Sequence, residues 1–185
     1  MWYDVAKDFD NPALSIVWLK WWMAYVLDSI ILPKDPALRI TELKKHIALY
    51  KIKWNVTFAV DATKDENILE YLWDRWINVD YPIKFTPWHW VNYKWRFHLC
   101  WKSYLVNLMK DEFIAKANIK FNSMLHKELW LFEEMDNFKM KENWAYAWTN
   151  WYKDDQIAAL LMALYVSYHY FLKDKYKLLE VNFQP

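Results

Sequence analysis

The chain has 185 residues, a formal net charge of +1 and a single cysteine, Cys100. That length predicts one domain, residues 1–185, with enough chain to bury a real core. The balanced charge excludes a global basic field for nucleic acid and leaves only local patches. The lone cysteine excludes a disulfide framework and a thiolate zinc site, and Cys100 reads as an ordinary buried thiol.

The elements follow in chain order. Met1–Ala6 reads as the start of a sheet, with Asp4 at its end. An acid this early is not the pattern of a signal peptide. Residues 13–19 and 23–32 read as an antiparallel hairpin joined through Lys20-Trp21-Trp22. Tight hairpin turns need φ > 0, which Gly, Asn or Asp supply, and two indoles are poor choices there. The composition sharpens the point, because the chain carries 15 Trp and no Gly, where average usage would give roughly a dozen Gly. We read the indoles as standing where a parental sequence had Gly. Trp54 follows a helical pattern and precedes a strand, as a helix-terminating Gly does. Trp76 sits in the same way.

Pro36–Lys51 has a helical apolar period through Leu38, Leu43, Ile47 and Tyr50, with Pro36 suited to the first turn. Asn55–Asp61 reads as a short buried strand ending in an acid. Asp65–Arg75 reads as a helix and Ile77–Phe85 as a returning strand. Phe97–Ala115 and Asn122–Met135 read as apolar-rich helices, the second with Asn122 or Ser123 as N-cap. Asn137–Glu142 and Ala145–Thr149 read as short strands or a β-ribbon. Asp154–Phe171 reads as a long core helix, since charges interrupt every run long enough to span a membrane. Strands that begin as an antiparallel set and then alternate with helices predict an α/β domain with a mixed sheet.

Acids occupy telling positions in this plan. Asp4 and Asp61 end strands, and Asp154 and Asp155 open the last helix. Strand ends and helix starts meet at one edge of an α/β sheet, where sites form. Carboxylates gathered there suit Mg²⁺ or Mn²⁺, and two such ions can clamp both oxygens of a phosphodiester. A local basic stretch with interleaved aromatics, Lys84, Lys94, Arg96 and Lys102 with His89 and His98, would contact DNA phosphates. The five His show no metal-ligand spacing. Trp95–Ser103, read with Gly for Trp, gives a phosphate-loop pattern one residue too long, in a context that reads as helical.

These motifs, in this order, resemble the nuclease domain of the viral large terminase subunit, the DNA-packaging protein of tailed phages. The segment Trp2–Leu32 resembles that family's opening, with its first acid and hairpin. Val56–Val79 resembles the second acidic motif, and Tyr152–Tyr168 resembles the closing helix with its acid pair. The chain departs from the family where Lys64-Asp65-Glu66 replaces a Gly-containing turn and Lys153 replaces a His. Trp stands for Gly at Trp2, Trp21, Trp22, Trp54 and Trp76, and Trp2, Trp148 and Trp151 would crowd the acids.

The resemblance implies an RNase H-like (RuvC-like) fold without the motor ATPase domain. It implies a metal-dependent endonuclease that cuts double-stranded DNA during genome packaging. Asp4, Asp61 and Asp155 would hold two Mg²⁺ or Mn²⁺ ions with Asp154 assisting, and the cut would release a 3′-hydroxyl. Implied partners are the terminase ATPase domain, the small terminase and the portal, in the host cytoplasm, with the isolated domain a monomer. Three other readings stand beside it: another RNase H-like nuclease such as a Holliday-junction resolvase, a catalytically silent Gly-to-Trp-substituted or Trp-rich designed chain that keeps the fold, and an aromatic-rich module that stacks on single strands.

Overall fold

The computed structural model describes residues 1–4, 11–63, 67–86, 92–94, 96–127, 130–140, 146–148 and 155–172, and these described residues form ten strands and five α-helices. The main sheet runs in the order β6-β7-β5-β4-β1-β2-β3-β8. Its strands are β1 (Trp2–Asp4), β2 (Ala13–Lys20), β3 (Met23–Ile31), β4 (Ala59–Asp61), β5 (Tyr81–Thr86), β6 (Asn92–Lys94), β7 (Phe97–Trp101) and β8 (Ile119–Phe121). Strands β1, β2 and β3 pair antiparallel, while β4 pairs parallel to β1, β5 to β4 and β7 to β5. The fold is therefore α/β with a mixed sheet, as the alternation predicted. A separate ribbon pairs β9 (Phe138–Met140) with β10 (Tyr146–Trp148), again as expected.

The hairpin closes with Lys20 opposite Met23, which leaves Trp21 and Trp22 as a two-residue turn. Trp21 takes φ 63°, the left-handed region that glycine favours, and so does Trp76 at φ 61°. Trp76 donates its N–H to the Trp73 carbonyl where α2 (Ile68–Trp73) ends. Trp22 and Trp54 are not among the left-handed residues. Trp54 instead stacks on Tyr50 at 5.5 Å and leans on Trp18 at 6.1 Å.

Two cores lie on opposite faces of the sheet. On one, α1 (Pro36–Lys51) and α2 cover Tyr3, Leu14, Ile16 and Val60 with Ile40, Leu43, Ile68 and Leu72. Helix α1 starts cleanly because Asp35 accepts the Leu38 N–H at 2.9 Å and Pro36 fills the first turn. On the other, α3 (Lys102–Leu108), α4 (Trp130–Asn137) and α5 (Asp155–Val166) cover Ala13, Val26, Ala59 and Ile83. Every residue of α5 is buried, which explains its nearly uniform apolar sequence. No helix among the described residues is long and apolar enough to cross a membrane.

Several boundaries differ from the sequence expectations. Phe97–Ala115 is not one helix. Its first five residues are strand β7, and the rest is α3 followed by a π-helical stretch, Met109–Ile114. A buried strand and a buried helix segment look alike as an apolar run, and pairing with β5 decides the matter. Asn122–Met135 divides into a 3₁₀ turn, Ser123–Lys127, and α4. Asn122 Oδ1 does accept the Met124 N–H, at 3.2 Å. Asn55–Asp61 forms a strand only over its last three residues. Strands β6 and β8 carry no alternation long enough to announce them.

Candidate functional site

Strands β1, β4, β5 and β7 run parallel, so their carboxyl ends share one edge of the sheet. Asp4 is the last residue of β1 and Asp61 the last of β4. Trp2 pairs with Ala59 and Tyr3 with Val60, which sets Asp4 and Asp61 side by side in register. Asp61 falls on the α5 face, two residues beyond Ala59.

Thr63 orients the Asp61 carboxylate. Asp61 Oδ1 accepts the Thr63 backbone N–H at 2.8 Å and also the Thr63 hydroxyl. The same hydroxyl oxygen accepts the Phe85 N–H at 2.8 Å, which ties the end of β4 to β5. The sequence signal for this was present in Asp61-Ala62-Thr63, because short polar side chains bond backbone two residues on.

Helix α5 brings Asp155 to the same edge. Its Oδ2 accepts the Asn11 N–H at 2.9 Å, and Asn11 lies two residues before Ala13, the partner of Asp4. Asp155 is 4% exposed. The next residue, Gln156, donates to the Ser29 carbonyl at 3.2 Å. The third, Ile157, donates its N–H to Glu134 Oε2 at 2.7 Å. Glu134 is 5% exposed on α4. Sequence reasoning missed it, although an acid three residues after buried Leu131 on a helix was a readable sign. Asn11 contributes only backbone, which no sequence pattern reveals. Asp154 lies outside the described residues, and the side chain of Asp4 lies outside them too.

The expected basic residues divide between the two faces. Lys84 Nζ sits 4.0 Å and Arg96 Cζ 5.5 Å from the centre of the Phe97 ring, which belongs to the α1/α2 core. Arg96 also pairs with Glu70 at 2.9 Å. Lys102 opens α3 on the other face, at the carboxyl end of β7. Lys94 lies in β6 opposite Phe97, and its side chain is outside the described residues, as is His89. His98 Nδ1 meets the Tyr170 hydroxyl at 2.5 Å, and burial pushes the imidazole below its usual range. The Cys100 thiol is buried and pushed up to about 12 by desolvation. Strand β7 runs straight into α3 with no loop between them. The context of Phe97–Ser103 is thus strand to helix, not helical throughout, with no intervening loop to cradle a phosphate, while Trp95 lies outside the described residues.

Among the described residues no group of three or more His, Cys, Asp or Glu is close enough to hold a metal ion. Asp61 and Asp155 are the described members of the acid set, and their oxygen donors suit Mg²⁺ or Mn²⁺ in kind. Compared with known protein families, curated proteins and solved structures, the chain matches none.

Proposed function

We propose that the protein is a metal-dependent endonuclease of the RNase H-like, terminase type, acting on double-stranded DNA. One observation carries this reading: Asp4 and Asp61 end neighbouring parallel strands, and Asp155 is tied to the same sheet edge through Asn11. A mixed sheet that starts antiparallel and continues parallel supports the fold expectation.

In this reading Asp4, Asp61 and Asp155, with Asp154 assisting, hold two Mg²⁺ or Mn²⁺ ions. Such ions, if bound, would supply Lewis acidity and positive charge at the phosphodiester. The chain's own residues do the rest. Thr63 fixes one oxygen of Asp61, and the Asn11 amide fixes one oxygen of Asp155. Lys102, at the same end of β7, holds a backbone phosphate. Lys84, Lys94 and Arg96 would meet DNA only along its path around the β5–β7 side. Packaging partners and a host-cytoplasmic setting follow from the resemblance.

A second reading, a Gly-to-Trp-substituted chain that keeps the fold and cuts nothing, is favoured by the left-handed indoles Trp21 and Trp76. Plasmid nicking with Mn²⁺ tests both. The comparison takes the chain as written, a Trp21→Gly/Trp76→Gly version, and Asp61→Asn and Asp155→Asn in each. Nicking by either parent that both Asn variants abolish supports the nuclease reading. Nicking by the Gly version alone supports the second reading for the chain as written. A folded Gly version that fails to nick removes the nuclease reading.

A further inference from the structure

We propose that Glu134 is a positioning residue for Asp155, acting through the first turn of α5; this rests on the nuclease reading above.

The first four N–H groups of a helix have no partner within it, and a local Ser, Thr, Asp or Asn normally serves one of them. Here the acceptor for Ile157 comes from a different helix, 23 residues earlier in the chain. It is a carboxylate, and it is almost fully buried. Burying a carboxylate is costly, and capping alone does not require one. The helix start offsets part of that cost, because its amides carry partial positive charge.

The neighbouring bonds show what Glu134 adds. Asp155, Gln156 and Ile157 each bond to a different element: the segment before β2, strand β3 and helix α4. Successive side chains point about 100° apart around a helix axis. The Asp155 and Gln156 bonds therefore fix the rotation of α5. The Ile157 N–H points along the axis toward the helix start, so Glu134 fixes the axial position and keeps the first turn wound. Without it, α5 could slide or fray at the turn that carries Asp155, and the Asn11–Asp155 bond would be the first to loosen. In metal sites, loss of a residue that holds a ligand typically lowers metal affinity by roughly 10- to 100-fold.

The test uses the full chain with Glu134→Ala, Glu134→Gln and Glu134→Asp. Two quantities are read: amide hydrogen exchange at Asn11 by NMR, with Leu43 in α1 as distant reference, and Mn²⁺ affinity by EPR. Glu134→Ala is expected to speed exchange at Asn11 at least tenfold while Leu43 is unchanged. It is also expected to weaken Mn²⁺ binding by roughly 10- to 100-fold. Glu134→Gln keeps an acceptor oxygen on the same stem and is expected to restore most of both. If Glu134→Ala does not fold, Glu134→Asp, whose acceptor is one methylene short, decides by the same criteria. Unchanged Asn11 exchange overturns the proposal, and so does unchanged Mn²⁺ affinity in a variant that has lost Asn11 protection. If the parent chain binds no Mn²⁺, the nuclease reading falls, and Asn11 exchange alone decides whether Glu134 places Asp155.

Discussion

Asn11 and Asp155, 144 residues apart, are joined by a 2.9 Å hydrogen bond from a backbone amide to a carboxylate. A residue before the second strand thus orients the first described residue of α5. Asp155→Asn keeps a side-chain oxygen for the Asn11 amide, so its stability cost is expected to stay below about 1.5–3 kcal/mol, the net worth of a hydrogen bond to a charged group. Nicking is expected to vanish. Urea melts beside a plasmid assay check the pair, and a variant that unfolds would mean that Asp155 is structural.

Trp21 and Trp76 hold left-handed backbone, and Trp54 does not. Such a conformation costs a non-Gly residue about 1–2 kcal/mol. Trp21→Gly and Trp76→Gly are each expected to stabilise by about 1 kcal/mol, since Trp21 is 68% and Trp76 93% exposed and little packing is lost. Trp54→Gly is expected to destabilise, because it removes the stack on Tyr50 and the contact with Trp18. Denaturation midpoints of the three variants check this, and a common direction for all three would contradict it.

Asp28 on β3 is half-buried, and desolvation raises its pKa above the ordinary 3.8, against the Ser29 N–H and His46, which lower it. A group with a raised native pKa holds its proton longer folded than unfolded. Its contribution is therefore greatest below 3.8 and is lost as pH rises through the native value. Asp28→Asn keeps an oxygen for the Ser29 amide. It is expected to raise stability at neutral pH and leave stability below the ordinary carboxylate range unchanged. Melts between pH 3 and 7 read the difference, and parallel curves for parent and variant would refute it.

Ser15 and Ser29 face each other across β2 and β3, and neither buried hydroxyl has a hydrogen-bond partner among the described residues. An orphaned buried hydroxyl costs about 1–3 kcal/mol. Ser15→Ala is expected to be neutral or to stabilise by about 1 kcal/mol, as measured by the denaturant midpoint. A loss above that size would show that the hydroxyl has a bonded role.

The hairpin, α1, α5 and the three acid positions at element ends were legible because local signals agreed with the final packing. Pro36 and the helical apolar period after it announced α1, and the apolar run after Asp155 announced a buried helix. Strand β7 was hidden because Phe97–Trp101 has the composition of the helix that follows it, and only pairing with β5 separates them. The candidate site was half legible in its placement on the fold. Asp61 and Asp155 stand out as acids at boundaries, whereas the Asn11 amide and the α4–α5 contact of Glu134 exist only in three dimensions. The basic stretch looked continuous in sequence, yet strand alternation and the β7–α3 junction send Lys84 and Lys102 to different faces.

The complete burial of α5 also dictates an order of events at the ribosome. The α1/α2 core draws on residues up to Phe97, so it can consolidate while the rest is still being made. The opposite face of the sheet needs α5 and Leu172, which follow every other described element in the chain. Until then Ala13, Val26, Ala59 and Ile83 lack the α5 part of their cover, and the nascent chain carries a partly open apolar sheet face exposed to aggregation. Nascent chains stalled before residue 155 should accordingly resist protease on the α1/α2 side while binding a hydrophobic dye on the other. Full protection of both faces at that length would contradict this order.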